Sequence, residues 1–386
     1  MSCRTVVFLS AIAVTVFLLA TVAANAQCPA SVVTNGLKAP TKITFSPLGN
    51  LLVAEQGDGP NTGRISIIDK ISGARRTLID GLPAGFSAPN NDPSGPSGLV
   101  MRGRTLYVSI GAGDSVINGN IPGVTFLPNP SPSSPLFSSV LAVHFDANVE
   151  KHTAGFTLSV ADQSSLKSDN KLNLANVNGE KLSVELLADF PDYAPEPNPL
   201  DPNNVRVSNP FGIEIAGDRL YIADASANAV REVDLASGSF NSLSTFAPLP
   251  NNRGFGPPVV EAVPDSIHLV DKQLLVTLLS GFPFPIGNAE VRAVDIATGT
   301  NTSFITGLSS AIDVLSEADG GFLTLEFSTD MLAGMPGRLS FYASPSASPL
   351  VLANCLITPT SMAQERRTGD VFVTEIFTGR VIKITQ

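Results

Sequence analysis

The chain reads Leu37-Lys-Ala-Pro-Thr-Lys-Ile-Thr-Phe45, then Asn50-Leu-Leu-Val-Ala-Glu55, then Gly63-Arg-Ile-Ser-Ile-Ile-Asp69. The same phrase returns at residues 208–234 and again at residues 356–384. In each copy, apolar residues alternate with polar ones between clusters of Gly, Pro, Asn and Asp, which predicts short strands rather than helices. Short strands repeated at intervals of about 40–60 residues are typical of a β-propeller, so the repeat predicts an all-β ring of blades.

Each copy of the repeat predicts a four-stranded blade, whose strands we call A to D from the ring axis outward. Complete blades are predicted to begin near Pro40, Gly98, Pro210, Ile267 and Ile312. The last copy supplies only strands A to C, whereas Ala30-Ser-Val-Val-Thr-Asn-Gly-Leu37 has the pattern of a D strand and precedes the first blade. We therefore predict a six-bladed β-propeller in which the N-terminal strand joins the C-terminal blade, because this closes the ring and removes an open edge.

Two segments interrupt the second blade. Residues 111–135 are rich in Pro, Ser and Asn, and residues 146–180 form a longer polar insertion. Within the longer insertion, residues 161–171 have the pattern of a short helix. Loops of this length are uncommon unless they are functional or mobile.

The first 26 residues have the pattern of a secretory signal peptide. Arg4 supplies the positive start, an apolar stretch follows, and Ala24-Asn-Ala26 ends it with small residues before a cleavage point. The alternative is a membrane anchor, for which the apolar stretch is short. We predict that residues 27–386 are a single propeller domain that is secreted or periplasmic and, once cleaved, not bound to a membrane.

The charge balance restricts the class of partner. The sequence has 34 Asp and Glu against 24 Lys and Arg, a net charge of −10, with no cluster of basic residues. An acidic, evenly charged surface argues against nucleic acids and anionic membranes as partners. We expect a monomer whose partner is a small molecule or another protein.

Two cysteines, Cys28 and Cys355, remain after the predicted cleavage. An oxidising compartment permits a disulfide between them, and a closed ring brings their regions together. However, Cys355 is expected at the end of its strand and Cys28 before the start of the neighbouring one. A seven-residue strand is about 20 Å long, whereas bridged Cα atoms lie about 4.4–6.8 Å apart. The sequence therefore leaves a disulfide and two separate thiols open.

Three segments carry a resemblance to a known family. They are Leu279-Ser-Gly-Phe-Pro-Phe-Pro-Ile-Gly287, Asn209-Pro-Phe-Gly-Ile213 with Leu220-Tyr-Ile-Ala-Asp224, and Leu323-Thr-Leu-Glu-Phe327 with Gly337-Arg-Leu339. On these segments the chain resembles the ScyD/ScyE family of secreted proteins, within the NHL-like six-bladed propellers. The resemblance covers nearly all of residues 27–386 and implies the fold and export, but no activity and no catalytic residues. The chain departs from the family's pattern at Asp265-Ser-Ile-His268.

One position of the predicted A strands varies from blade to blade. Aligning the six strands places these residues there: Thr44, Val100, Glu214, His268, Asp313 and Ala363. Because inner strands surround the central channel, Glu214, His268 and Asp313 are predicted at one height in it. One imidazole and two carboxylates can bind a divalent metal or act as general acid and base, so these three are candidate metal ligands and candidate catalytic residues. The alternative is a structural role, with the three side chains hydrogen-bonded between blades.

A further candidate metal site lies in an oxygen-rich loop. It contains Asp192, Glu196 and Asp201, and carboxylate oxygens are ligands that Ca²⁺ prefers. The spacing of an EF-hand loop is absent, so a solvated acidic loop is the alternative.

Phe282 and Phe284 are candidate ligand-binding residues. Both are predicted in a loop between strands B and C, flanked by Gly and Pro. Exposed rings on such a loop either contact a ligand or fill the mouth of the ring.

The sequence favours a binding or scaffold module over an enzyme. It contains no Gly-x-Ser-x-Gly elbow, no phosphate-binding glycine loop and no His-Glu-x-x-His motif. The first alternative is a lactonase-like hydrolase that uses Ca²⁺ or another divalent metal at the central channel. The second is a quinoprotein sugar dehydrogenase, which needs a cluster of basic cofactor ligands that the sequence does not contain.

Overall fold

A computed structural model of the protein describes residues 28–88, 90–318 and 320–385. The signal peptide predicted at residues 1–26 lies outside the described residues. Six sheets of four or five strands are arranged as a six-bladed β-propeller, as the repeat predicts. Across the described ranges, no helix is long and apolar enough to cross a membrane.

The first half of the chain forms blades 1 and 2. Its elements are β1 (Ala30–Thr34); β2 (Pro40–Phe45), β3 (Leu51–Glu55), β4 (Gly63–Ile68) and β5 (Arg75–Leu82) of blade 1; the hairpin β6 (Gly85–Ser87) and β7 (Asp92–Ser94); β8 (Pro96–Arg102) and β9 (Thr105–Ile110) of blade 2; the hairpin β10 (Val116–Asn118) and β11 (Phe126–Pro128); β12 (Ser139–His144) of blade 2; α1 (Ala147–His152), β13 (Phe156–Thr157), α2 (Val160–Asp169) and β14 (Lys171–Ala175); and β15 (Lys181–Asp189) of blade 2.

The second half of the chain forms blades 3 to 6. Its elements are the hairpin β16 (Tyr193–Pro195) and β17 (Val205–Val207); β18 (Pro210–Ala216), β19 (Arg219–Asp224), β20 (Ala229–Asp234) and β21 (Phe240–Thr245) of blade 3; the hairpin β22 (Leu249–Pro250) and β23 (Val259–Val260); β24 (Pro264–Val270), β25 (Gln273–Leu278), β26 (Ala289–Asp295) and β27 (Asn301–Leu308) of blade 4; β28 (Ala311–Ser316), β29 (Phe322–Glu326), β30 (Gly337–Tyr342) and β31 (Leu350–Leu356) of blade 5; and β32 (Pro359–Gln364), β33 (Val371–Glu375) and β34 (Arg380–Ile384) of blade 6.

The ring closes through its first strand. β1 pairs antiparallel with β34, with Ala30 opposite Ile384 and Ser31 opposite Lys383, and the sheet order is β1-β34-β33-β32. The N-terminal strand is therefore strand D of the C-terminal blade, which confirms the predicted closure.

Antiparallel order fixes where the loops lie. Since neighbouring strands of a blade run in opposite directions, the A–B and C–D turns lie at one face of the ring, which we call the turn face. The B–C loops and the connections between blades lie at the other face, the loop face. The two long insertions begin at different faces. Residues 111–135 follow strand B and begin at the loop face, whereas residues 146–180 follow strand C and begin at the turn face.

The core consists of six clusters of buried side chains, one at each contact between neighbouring blades of the described chain. Between blades 1 and 2, for example, Leu52 and Ile65 pack with Leu106 and Val143. Successive side chains of a strand point to opposite faces of the sheet, so each blade presents one apolar face to each of its two neighbours. The ring is therefore held together chiefly by contacts between blades.

The insertion at residues 146–180 contributes to two sheets, so blades 1 and 2 have five strands where four were predicted. β13 pairs parallel with β5 at the edge of blade 1, and β14 pairs antiparallel with β15 at the edge of blade 2. α2 lies between these two strands, close to the helix predicted at residues 161–171. The insertion thus covers the outer edges of both blades.

A carboxylate at the end of strand B fastens the connection to its own blade in four blades. The acceptors are Glu55, Asp224, Glu326 and Glu375, which receive the backbone N–H groups of Lys38, Asn209, Ser309 and Ile357 at 2.6, 2.8, 2.9 and 2.7 Å. Each acid is buried, and such charge-assisted hydrogen bonds are strong. They hold the connections on the loop face in place.

The structure joins Cys28 and Cys355 in a disulfide with a Cα–Cα distance of 5.7 Å. It links β31, the outermost strand of blade 5, to the residues just before β1, the outermost strand of blade 6. The estimate of about 20 Å treated neighbouring strands as parallel to the ring axis. Strands in a sheet twist by about 20–25° from each neighbour to the next, so the outermost strands are steeply inclined, and the end of β31 meets the start of β1.

Candidate functional site

Glu214 and His268 occupy equivalent positions of their A strands, but Asp313 does not. Glu214 pairs with Tyr221 and His268 pairs with Leu275. Each of these partners lies three positions before the last residue of its B strand. In blade 5 the residue at this position is Leu315, and Asp313 lies two residues earlier. The predicted common register was therefore wrong. The A strands of the other five blades begin with Pro, whereas this one begins with Ala311. The proline that would have aligned this strand with the others was therefore missing from the sequence.

Asp313 instead lies at the centre of a buried polar network that we call the channel cluster, formed by Lys42, Ser266, Asp313 and Ser361. Lys42 Nζ lies 3.0 Å from Asp313 Oδ2 and donates to Ser266 Oγ at 3.2 Å. Ser361 Oγ and the Met362 N–H each donate to Asp313 Oδ2 at 2.9 Å, and Ser266 Oγ donates to Oδ1. The cluster connects the A strands of blades 1, 4, 5 and 6.

The charge state of Asp313 follows from its partners. Burial would raise the pKa of this carboxyl, which is 1% exposed, but the charge of Lys42 and the hydrogen bonds from Ser266 and Met362 outweigh burial and lower the pKa. Both carboxylate oxygens accept hydrogen bonds from within the protein. We conclude that the channel cluster braces the ring.

Asp265 directly precedes Ser266 on β24 and is also buried, with 5% of its surface exposed. Burial raises the pKa of its carboxyl well above the ordinary value; Lys42 opposes this shift and Asp313 adds to it. A buried acid in this position favours its neutral form. Asp265, Ser266 and His268 together are the segment at which the sequence departs from the pattern of the family it resembles.

Glu214 and His268 meet in the central channel. His268 Nδ1 lies 3.3 Å from Glu214 Oε2, and the two Glu214 oxygens accept backbone N–H groups from Ile215 at 2.8 Å and Leu269 at 3.2 Å. The pair borders a cavity of about 270 Å³, which is lined by residues of all six A strands and by Arg366. It connects blade 3 to blade 4 at the channel wall.

The candidate metal ligands are not gathered into one group. Among the side chains that the structure describes, no group of three or more His, Cys, Asp or Glu is arranged to hold a metal ion. Glu214 and His268 contact each other, whereas Asp313 is paired with Lys42, although all three side chains line the same cavity. The structure therefore brings Glu214 and His268 together as a pair, and a catalytic role for the three residues stays a prediction.

The oxygen-rich loop is likewise divided among separate partners. Asp201 is buried and its Oδ2 accepts the Asn120 N–H at 3.1 Å, whereas Glu196 Oε1 accepts from Arg206 Nε at 2.7 Å. Burial raises the pKa of Asp192 to about 6, with Lys167 opposing the shift and Asp189 adding to it. The structure therefore does not bring the three carboxylates together as one group.

A larger cavity, of about 410 Å³, lies on the loop face between the connections of blades 2, 3 and 4. We call it the loop-face pocket. Its apolar lining residues are Ala88, Val116, Val124, Phe126, Val205, Val207, Ala225 and Val263, and its polar lining residues are Glu196, Asn204, Arg206, Asn209, Ser226 and Glu261. The hairpins β10–β11 and β16–β17 supply much of the wall, so the pocket exists because loops between strands are long here.

Arg206 is the centre of the polar side of the loop-face pocket. Its Nε donates to Glu196 Oε1 at 2.7 Å and its Nη1 donates to the Ser226 carbonyl at 2.9 Å. The Glu261 oxygens lie 3.4 and 3.5 Å from the two terminal nitrogens. Burial would lower the pKa of Arg206, but the hydrogen bonds to Glu196 and Glu261 outweigh it and raise the pKa. The guanidinium is thus charged and fixed in place.

Phe282 and Phe284 lie in the loop between strands B and C of blade 4, where they were predicted. Phe282 is 62% exposed, and its ring centroid lies 5.9 Å from that of Phe284 and 6.5 Å from that of Phe255. The Gly281 N–H donates to the Glu261 carbonyl at 2.8 Å, which joins this loop to the wall of the loop-face pocket. A ligand contact by these rings stays a prediction.

The sequence did not predict Arg206 and Glu261 as site residues. The available signal was the stretch of Pro, Asp and Asn at residues 191–209, which is long for a connection between blades. It pointed to a metal because its acids were considered without Arg206. A carboxylate has a different role once a guanidinium is its nearest partner.

Comparison with known proteins assigns neither a family nor a function to the chain. No family model matches the chain, and no curated protein matches it. A protein of unknown function from Bacteroides thetaiotaomicron is similar in structure, with a TM-score of 0.49 and 10% identity over 92% of this chain and 75% of that one. A protein named as an oxidoreductase (glucose dehydrogenase) from Thermus thermophilus has a TM-score of 0.48 and 13% identity over 92% of this chain and 98% of that one. At these values neither similarity carries an inference about function.

Proposed function

We propose that this protein is a binding module outside the cytoplasm, which holds a small molecule in the loop-face pocket. The observation that supports this function is the pocket itself. It has about 410 Å³, apolar walls and a few fixed polar groups, and small-molecule sites are concave, mostly apolar and typically about 300–1,000 Å³. The exposed Phe282, on a loop bonded to the pocket wall, is a proposed additional contact.

Three observations favour the secreted or periplasmic location. Residues 1–26 have the pattern of a signal peptide, the chain resembles the exported ScyD/ScyE family, and Cys28 pairs with Cys355. Disulfides persist in oxidising compartments and are rare in the cytosol. The acidic net charge of −10 favours a small molecule or a protein over nucleic acid as the partner.

The hydrolase alternative receives less support from the geometry. It requires a metal at the channel, and the channel acids of the described chain are paired with Lys42, His268 or backbone N–H groups. The pocket on the loop face needs no such rearrangement to admit a molecule. We therefore rank the binding function first.

The test uses a neutral fluorescent probe, N-phenyl-1-naphthylamine, with residues 27–386 purified in oxidised form. Val124 lines the pocket and is 57% exposed, so Val124→Trp is expected to fill the pocket without disturbing the core. Val177→Trp is the matched control, because Val177 is 93% exposed and is not among the lining residues. Circular dichroism and thermal unfolding verify that both variants fold.

One saturable site in the wild type and in Val177→Trp, with at least tenfold weaker binding in Val124→Trp, supports the proposal. A probe that does not saturate, or that binds Val124→Trp as well as the wild type, refutes it.

A further inference from the structure

The charges of the loop-face pocket are unequal. The charged side chains among its described lining residues are two carboxylates, Glu196 and Glu261, and one guanidinium, Arg206. The pocket therefore carries a net formal charge of one negative unit, inside a protein whose overall charge is also negative. Such a field attracts cations and repels anions.

The single cation of the pocket has few donors left to offer. Arg206 Nε is bonded to Glu196 and Nη1 to the Ser226 carbonyl, while Nη1 and Nη2 both face Glu261. A ligand carboxylate would have to compete with two carboxylates already in place. Binding an anion would leave those carboxylates without their partner, which is unfavourable in a partly buried site.

The carboxylates, in contrast, have acceptor capacity left. Glu196 Oε2 accepts no hydrogen bond from the residues that the structure describes, since Arg206 contacts only Oε1. Glu261 Oε2 accepts a hydrogen bond from Asn228 Nδ2. Its Oε1 lies 3.4 Å from Arg206 Nη2, which is long for a charge-assisted hydrogen bond of about 2.7–2.9 Å. An ammonium group has three donors and no acceptor, so it complements these oxygens.

Much of the remaining lining of the pocket is apolar. Val116, Val124 and Phe126 come from the β10–β11 hairpin and its turn, and Val205 and Val207 come from β17. Such a surface gains free energy by covering an apolar body at about 25 cal/mol per Å². A molecule with an apolar body and one amine end matches both the apolar lining residues and the carboxylates.

From these observations we infer that the loop-face pocket binds an amphipathic primary amine in its ammonium form, with the ammonium at Glu196 and Glu261 and the apolar body against the β10–β11 and β17 valines. This inference names the ligand class of the proposed binding function and rests on that function.

The test measures how three probes of one shape displace N-phenyl-1-naphthylamine at neutral pH: phenethylammonium, 2-phenylethanol and phenylacetate. Phenethylammonium is expected to displace the dye at a concentration at least tenfold lower than phenylacetate, with the alcohol between them. Added NaCl is expected to reduce this difference, because salt screens partly exposed charges.

Glu196→Gln is expected to reduce the preference for the ammonium at least threefold. Glu185→Gln, which changes a carboxylate on β15 outside the pocket lining, is the matched control and is expected to leave it unchanged.

The outcomes separate the two claims. If the dye binds in the pocket but the three probes compete equally, or phenylacetate competes best, the ligand class is wrong and the binding function stands. A preference that Glu196→Gln leaves intact also overturns the ligand class. If the dye itself does not bind, the proposed function fails first.

Discussion

Lys42 and Asp313 are 271 positions apart in the sequence, and Lys42 Nζ lies 3.0 Å from Asp313 Oδ2 in the central channel. The pair joins the inner strands of blades 1 and 5, and Ser361 of the blade between them donates to the same carboxylate at 2.9 Å. Ser266 of blade 4 donates to the other oxygen of this carboxylate, so the Asp313 side chain links four consecutive blades around the axis.

We predict that Asp313→Ala lowers the free energy of unfolding by about 3–5 kcal/mol, because it leaves the largely buried ammonium of Lys42 without its partner. Urea denaturation measures the change. Replacing both residues, as Lys42→Met with Asp313→Leu, is expected to be less destabilising than Asp313→Ala alone, since no charge is then buried unpaired. A double variant less stable than the single one would contradict the assigned pairing.

The Asp313 contribution has a defined pH dependence. Its pKa is lowered in the folded state, so its stabilisation is present above the unfolded-state pKa of about 3.8 and is lost as pH falls through the lower folded value. The stability difference between wild type and Asp313→Asn should therefore be constant near neutral pH and shrink in acid. A difference that grows as pH falls would contradict it.

For Asp265 we predict the opposite dependence. Its pKa is raised well above the ordinary value, so its favourable contribution is complete below about pH 3.8 and is lost as pH rises through the folded-state pKa. Asp265→Asn cannot ionise, and its stability relative to wild type should increase as pH rises. Denaturation at several pH values measures this, with the exposed Asp218→Asn as control. A pH-independent difference would show that Asp265 is not a strained buried acid.

Removing the disulfide with Cys28→Ser and Cys355→Ser is predicted to lower the free energy of unfolding by about 2–5 kcal/mol, because the bridge closes a loop of 327 residues. Hydrogen exchange should accelerate in β1, whose remaining attachments are its ladder with β34 and the apolar contacts of Ala30 and Val33. Reduced wild type should behave like the double variant. Unchanged exchange in β1 would mean that these attachments hold the strand without the disulfide.

Asp192 is predicted to titrate near pH 6, because burial raises the pKa of its carboxyl to about 6. Its contribution to stability is present below about pH 3.8 and is lost as pH rises through about 6. The difference infrared spectrum between wild type and Asp192→Asn should show a carboxylate band that appears with this midpoint. A midpoint near 4 would mean that the side chain is well solvated.

The sequence was sufficient to predict six blades and the N-terminal closing strand, because alternating apolar residues and turn residues are local signals. It could not place Asp313, since Ala311 removed the proline that marks the start of the other A strands. A shift of two residues keeps a side chain on the same face of a strand but moves it by about 6–7 Å. A displacement of this size is enough for Asp313 to pair with Lys42 while Glu214 pairs with His268.

The pocket and the disulfide depend on geometry that the repeat does not encode. Arg206 lies 10 positions from Glu196 and 55 positions from Glu261 in the sequence. Glu261 belongs to a different connection between blades, and only the closed ring brings the two connections together. Cys28 and Cys355 meet because sheet twist tilts the outer strands, which a strand-length estimate omits.

The pairing of β1 with β34 also sets an order of events during synthesis. Ala30 is among the first residues of the described chain to be made and its partner Ile384 among the last. Five blades can acquire all their strands while β1 still has no strand to pair with, so β1 must stay unpaired until β34 has been made. A chain stopped before Arg380 has no partner for β1 and ends with an unclosed ring.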